Sequence, residues 1–105
     1  MQNVIEQQKT IDQQAEKPIL IEKEKIPSLS FKNPVMIEQQ EGLMKRLSEA
    51  TKLGNIHHGK IAIIFKDDEG LKRVETTIWA TGAKYICLKG GVWLPIARIK
   101  EIKFL

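Results

Sequence analysis

The chain has 105 residues with 17 Lys and Arg, 13 Asp and Glu, and a single cysteine. That length allows one ordinary domain and excludes a (β/α)8 barrel or a doubly wound enzyme, which need far more chain. A disulfide scaffold is also excluded, since Cys87 has no partner in the sequence. The sequence therefore indicates a small binding or structural domain more readily than an enzyme.

No targeting segment is recognisable. The N-terminus MQNVIEQQKT is polar and lacks the apolar stretch of a secretory signal. The longest apolar runs, such as residues 61–65, are far shorter than the roughly 20 residues of a membrane span. Because a lone cysteine and the lack of an export signal suit a reducing compartment, we expect a cytoplasmic protein.

The first third of the chain differs in composition from the rest. Residues 1–36 hold three of the four prolines, no glycine and a net charge of zero, so the whole excess of +4 lies in residues 37–105. Sparse apolar positions cannot offset the entropy lost on ordering, and the prolines interrupt both helix and sheet. We expect residues 1–34 to be a disordered or extended leader, and residues 35–105 to be the folded domain.

A second interpretation of the leader rests on its short apolar patches. Ile19–Ile21 and Leu29–Phe31 each resemble an extended peptide that adds to a sheet edge or to a partner.

One helix is predicted after the leader. Asn33 suits a helix cap, and Pro34 is tolerated at the first helical position. Gly54 is the expected end of the helix. The apolar residues that follow helical spacing are Met36, Ile37, Met44, Leu47, Ala50 and Leu53.

Beyond Gly54 the apolar period changes to two, which predicts strands. Gly90-Gly91 is a hairpin turn that needs positive φ, and Pro95 suggests an edge or a bend because it cannot donate a ladder bond. The predicted fold is α+β and mostly β, with one N-terminal helix and a five-stranded, strongly bent antiparallel small barrel. The five strands are residues 60–66, 73–80, 84–89, 92–96 and 99–104.

This order of elements resembles the Sm-like small β-barrel and the similar barrel of the bacterial inhibitor of the Rho terminator. The closest part is KIAIIFKDDEGLKRVETTIWATGAKYICLKGGVWLPIARIKEIKFL, whose LPIARIKEIKF looks like the last two strands of that barrel joined by one helical turn. The stretch VETTIWATGAKYICLKGG is also similar to short uncharacterised bacterial proteins, which implies no activity. Sm-like RNA-contact residues do not carry over, because the corresponding loop offers only Lys84 and Tyr85, and Leu94-Pro95-Ile96 replaces the Lys-His pair.

Candidate chemistry is sparse. His57 and His58 are adjacent and would point apart in an extended segment, which argues against one shared metal ion. The run from Asp67 to Gly70 lacks the ligand spacing of a calcium loop. Cys87 has apolar neighbours and is expected to be a buried small hydrophobe. We expect no catalytic residue, no metal, no cofactor, no small-molecule substrate and no membrane partner.

The aromatic residues carry the functional prediction. Trp79 and Trp93 are out of phase with their apolar neighbours, so both indoles should point outward, and exposed tryptophans are typical of contact surfaces. With Pro95 at an edge, the sequence predicts a protein-interaction or self-assembly module that uses Trp79, Trp93 and the edge strands. The alternative is an RNA- or DNA-binding barrel with a basic face. Its contacts would be Lys72, Arg73, Lys84, Tyr85 and Lys89.

Overall fold

Strands form most of the regular secondary structure in the computed structural model, which describes residues 16–105. One α-helix, α1, spans Leu43–His57, and two 3-10 helices span Lys23–Ser28 and Ile96–Arg98. The first fifteen residues of the predicted leader lie outside the described part of the chain. The strands are β1 (Ile19–Leu20), β2 (Ile61–Lys66), β3 (Leu71–Thr76), β4 (Ile78–Thr81), β5 (Tyr85–Leu88), β6 (Val92–Pro95) and β7 (Ile99–Phe104).

The strands form two sheets in a compact α+β arrangement. The first sheet has the order β1-β3-β2-β7 and the second has the order β4-β5-β6. Five predicted strands thus become seven in residues 16–105, and no closed barrel is found among them. The predicted strand 73–80 is divided at Thr77, whose carbonyl accepts the amide of Lys89, so β3 and β4 belong to different sheets.

The β2 strand occupies the middle of the first sheet, and every residue from Ile61 to Phe65 is buried. It pairs antiparallel with β3 on one side and with β7 on the other. A run that is apolar at nearly every position suits such a strand, because both of its faces are covered.

The predicted bounds of the helix were wrong at both ends. Residues 34–42 are not helical, and Gly42 adopts φ +72 immediately before α1, a left-handed conformation that stops a helix from passing through it. Gly54 lies inside α1, which continues to His57 and ends at His58 in a left-handed conformation. Of the predicted apolar positions, Leu47 and Ala50 are buried on α1, where Leu43 and Gly54 join them.

Close packing explains why a glycine stands inside the helix. A Cβ added to Gly54 would lie 2.5 Å from the carbonyl oxygen of Ile78 and 2.7 Å from Cγ2 of Thr77. One turn away, the hydroxyls of Thr51 and Thr81 are 2.6 Å apart. The buried face of α1 therefore rests directly on β4.

The described part of the leader lies against both sheets. Strand β1 pairs in parallel with β3, and the amide of Ile21 donates to the carbonyl of Arg73. Ile26 in the first 3-10 helix is 2% exposed and belongs to the main hydrophobic core, against which Leu29 and Phe31 also pack. We call residues 19–40 the strap, because they cross from one sheet edge to another.

The strap also reaches the edge strand β7. The amide of Gln40 donates to the carbonyl of Lys100, and its side-chain oxygen accepts the amide of Ile102. The side chain of Gln39 donates to the carbonyls of Ile96 and Ile99. These bonds satisfy backbone groups that an edge strand would otherwise present to solvent.

Candidate protein-binding surface

Three aromatic side chains project from the outer face of the second sheet. Trp79 is 47% exposed, Tyr85 49% and Trp93 60%. Their inward-facing neighbours Ile78, Ile86 and Leu94 are fully buried. The alternation of strand side chains thus divides this sheet into a core face and an outer face. We call the outer face the aromatic face.

The strand register places the three aromatic residues around one position. Cys87 in the central strand pairs with Trp93 on one side and with Ala80 on the other. The register shifts between Ile78 and Ala80, and both Trp79 and Ala80 are exposed, so this irregularity turns two consecutive side chains outward. Tyr85 precedes Cys87 by two residues and shares its face. Strict alternation from Val74 would bury Ala80, and this shift exposes it instead.

Cys87 is a free cysteine and is buried, although it belongs to the outer face. The sequence prediction of a buried small side chain is confirmed. Its register partner Trp93 carries a large side chain on the same face, which accounts for the burial of a small one beside it.

One free sheet edge borders the aromatic face. β6 is the last strand of the second sheet, as Pro95 suggested. The amide of Ile96 donates to the carbonyl of Lys84, and backbone groups in an antiparallel pair alternate in direction. The backbone groups of Leu94 therefore face β5, and those of Trp93 and Pro95 face outward. Proline is tolerated at a position where no amide is needed for the ladder.

The charges around this face are one-sided. No Asp or Glu occurs between Glu75 and Glu101, so the whole second sheet is built without a carboxylate. Lys84 and Lys89 flank β5, one at each end, and both are exposed. The two charged side chains that flank the central strand of the aromatic face are therefore both positive.

The predicted nucleic-acid contacts do not all lie together. Lys84, Tyr85 and Lys89 belong to the second sheet, whereas Lys72 and Arg73 lie on β3 in the first sheet. Lys72 is buried, with its Nζ 3.2 Å from Oδ1 of Asp67, and Arg73 pairs with Glu75 at 3.0 Å.

Sequence reasoning missed a cluster that holds the strap. The sequence pattern indicated no role for Asp68 or Arg98. In the structure, Arg98 is buried and donates to Asp68, to the carbonyl of Lys66 and to the carbonyl of Asn33. Its guanidinium lies 5.6 Å from the ring centroid of Phe31. A solitary Arg in the otherwise apolar segment from Val92 to Ile99 was the only signal in the sequence.

The carboxylate of Asp68 collects donors from the strap. The Ser30 hydroxyl is 2.6 Å from Oδ2, and the amides of Lys32 and Asn33 also donate to the carboxylate. The Ser30 hydroxyl contributes most to lowering the pKa of Asp68 to about 2, helped by Arg98 and the two amides and opposed by desolvation. Asp68 is therefore ionised at all ordinary pH values.

Asp67 is buried beside this cluster. Burial raises the pKa of Asp67, but donation from the amides of Gly70 and Glu69 and from Lys72 outweighs it, so the net shift is downward. Oδ1 receives all three donors. The turn is thus an ionised anchor for β3 and for the strap.

The remaining candidates were His57 and His58, and both are exposed where α1 ends. Across residues 16–105, no group of three or more His, Cys, Asp or Glu side chains is arranged to hold a metal ion. Within the same residues, no helix is long and apolar enough to cross a membrane.

Comparison with known proteins adds no relative. No protein-family model matches the chain, and neither the curated proteins nor the solved structures contain a match.

Proposed function

We propose that this protein is a non-catalytic binding module that recognises another protein, or a second copy of itself, through the aromatic face. The observation that carries the proposal is the exposure of Trp79, Tyr85 and Trp93 on one side of one three-stranded sheet. Tryptophan and tyrosine are enriched at interface hot spots, because each buries a large apolar area on binding. The unpaired Cys87 supports a reducing, cytoplasmic location, which is part of the same proposal.

We also propose that the two sheets are the halves of an open, Sm-like small barrel. The support is the order of elements. A helix is followed by strands, β3 and β4 continue one another across Thr77 into different sheets, and the 3-10 helix Ile96–Arg98 joins the last two strands. An experimental structure that showed the two sheets packed in another way would contradict this assignment.

The binding proposal is tested by capturing partners from native lysate with the full chain, with and without nuclease. We expect Trp79→Ala and Trp93→Ala to lose a nuclease-resistant partner that the wild type retains. Met36→Ala is the matched control, because Met36 is an exposed apolar residue far from the second sheet in the sequence. Equal capture by all variants would remove the aromatic face from the proposal. Sedimentation of the same variants tests whether the protein binds a second copy of itself.

A nucleic acid is the second candidate, and the absence of carboxylates between Glu75 and Glu101 favours it. Exposed aromatic side chains stack on unpaired bases, while Lys84 and Lys89 would approach phosphates. Retention on single-stranded RNA at low salt that falls with added salt would support this candidate. No retention at low salt would eliminate it.

A further inference from the structure

The edge of β6 combines three features that suit the addition of another strand. Its outward backbone groups, the amide and carbonyl of Trp93, have no hydrogen-bond partner in residues 16–105. Its sequence VWLP carries no charge. Trp93 on this strand is also the most exposed of the three aromatic residues. Natural sheet edges are usually covered or charged, since a free edge readily pairs with another chain.

The strap and α1 lie along other strands of the two sheets. The strap adds β1 to β3, and Gln40 bonds to the backbone of β7. The outer side of β4 packs against α1. The first 3-10 helix packs against β6, and Lys23 approaches Gly90 in the hairpin turn, but within residues 16–105 no hydrogen bond joins this helix to the backbone of Trp93. The strap therefore leaves the backbone of Trp93 unpaired.

We propose that the β6 edge is a strand-addition site for an extended, acidic segment of a partner protein. This inference rests on the proposed function and names the partner chemistry. The partner strand would exchange backbone hydrogen bonds with Trp93, and its apolar side chains would pack on the aromatic face. Carboxylates at its two ends would meet Lys84 and Lys89, which stand at the two ends of the neighbouring strand β5.

The positive charge of Lys84 and Lys89 favours an acidic peptide over the other molecules that could occupy the β6 edge. A second copy would bring the same lysines to the same edge, and like charges oppose such a pairing. A nucleic acid would use the positive charge but would leave the backbone groups of Trp93 without strand partners. An acidic extended peptide satisfies the edge, the aromatic face and the lysines together.

A shallow pocket of about 460 Å³ lies at the far end of β6 and is lined by Gln39, Lys84, Tyr85, Pro95, Ile96 and two alanines. It lies where a strand that runs along β6 past Pro95 would place its next side chain. A carboxylate there would lie within the positive field of Lys84.

The test uses the full chain and a fluorescent ten-residue peptide of alternating threonine and valine with two glutamates at each end. We expect saturable binding that weakens at least tenfold when the glutamates become lysines, and equally when Lys84→Glu and Lys89→Glu are combined. Lys52→Glu, at an exposed site on α1, is the matched control and should leave binding unchanged. Equal affinity for acidic and basic peptides would overturn the proposal.

Strand addition is tested separately from side-chain contact. Trp93→Ala and Trp93→Pro both remove the indole, but only proline removes the outward amide, so the proline variant should bind at least tenfold more weakly. A peptide with alternate N-methylated amides makes the same test on the wild-type protein should the proline variant fail to fold. Unchanged binding of the methylated peptide would overturn strand addition.

The remaining outcomes separate this proposal from the one on which it rests. Ten-residue oligouridine that bound more tightly than the peptide would identify a nucleic acid as the occupant of the β6 edge. A dimer in sedimentation that Trp93→Pro abolishes would identify a second copy of the chain as the occupant. Either result would overturn the acidic peptide. Loss of a captured partner in Trp79→Ala with no peptide binding by the wild type would overturn the strand-addition site alone. Equal partner capture by every tryptophan variant would overturn the proposed function itself.

Discussion

Nη2 of Arg98 lies 3.0 Å from Oδ1 of Asp68, which joins the turn after β2 to the 3-10 helix before β7. Both side chains also bond to the strap, Asp68 through Ser30 and Arg98 through the carbonyl of Asn33. One ion pair thus ties three distant parts of the chain together. We expect its loss to release the strap before the sheets unfold.

Substitution of Asp68 tests this expectation. Asp68→Asn removes the negative charge while Arg98 stays buried, and a buried charge without its partner is destabilising. We expect the Tm to fall by roughly 5 °C, and the amide of Ile21 to exchange at least ten times faster with solvent. Glu75→Gln, in the more exposed pair with Arg73, is the matched control and should change the Tm little. An unchanged exchange rate at Ile21 would contradict a role in holding the strap.

The lowered pKa of Asp68 makes the stability of the protein depend on pH. The pKa of Asp68 is about 2 in the folded chain and about 3.9 in an unfolded one. A lowered folded pKa stabilises the protein at pH values above the unfolded pKa, and this contribution is lost as the pH falls through about 2. Thermal melts of wild type and Asp68→Asn should therefore differ by a constant amount above about pH 5 and converge toward about pH 2. A difference that persisted undiminished near pH 2 would assign the stabilisation to another group.

Ile26 tests whether the strap belongs to the folding unit. The side chain is 2% exposed within the main core, so Ile26→Ala should cost about 2–5 kcal/mol of unfolding free energy. Leu20→Ala is the matched control, because Leu20 is 63% exposed in the same strap and should cost less than about 0.5 kcal/mol. Urea denaturation of both variants measures the difference. Equal costs would mean that the strap adds nothing to the core.

At Gly54 we expect the effect of an alanine substitution on stability to be opposite to the one that helix propensity predicts. Alanine at an interior helical position is favoured over glycine by about 1 kcal/mol. Here the new Cβ would meet the backbone carbonyl of Ile78 at 2.5 Å, so Gly54→Ala should destabilise the protein by about 1–3 kcal/mol. Asn55→Ala, at the next and exposed position of α1, should instead be neutral or slightly stabilising. A stabilised Gly54→Ala would show that α1 can move away from β4.

Local patterns predicted much of the second half of the chain. The buried run of β2, the bounds of β7, the positive φ of Gly90 and Gly91 and the exposure of the two tryptophans all follow from alternation and turn chemistry. These features depend on neighbours only a few residues apart, so a single sequence contains the information. The aromatic face was partly visible for the same reason.

The helix bounds and the strap depended on distant contacts. Residues 34–42 keep a helical apolar pattern but lie along the sheet, because Gln39 and Gln40 bond to residues about sixty positions later. Gly54 resembles a helix end in the sequence, but a Cβ at this position would lie 2.5 Å from the carbonyl oxygen of Ile78 in β4, so the packing of α1 on β4 accounts for the glycine.

By itself the sequence determined the strand-rich second half of the chain, its turns and the outward tryptophans. It also determined that the excess of positive charge lies in this half. Periodicity and residue type act locally, so one sequence is enough to show these features. Only the tertiary structure decided that the strap covers two sheet edges and that the edge at Trp93 stays unpaired. The physical reason is that backbone hydrogen bonds and buried ion pairs such as Asp68 with Arg98 join residues whose separation in sequence carries no pattern.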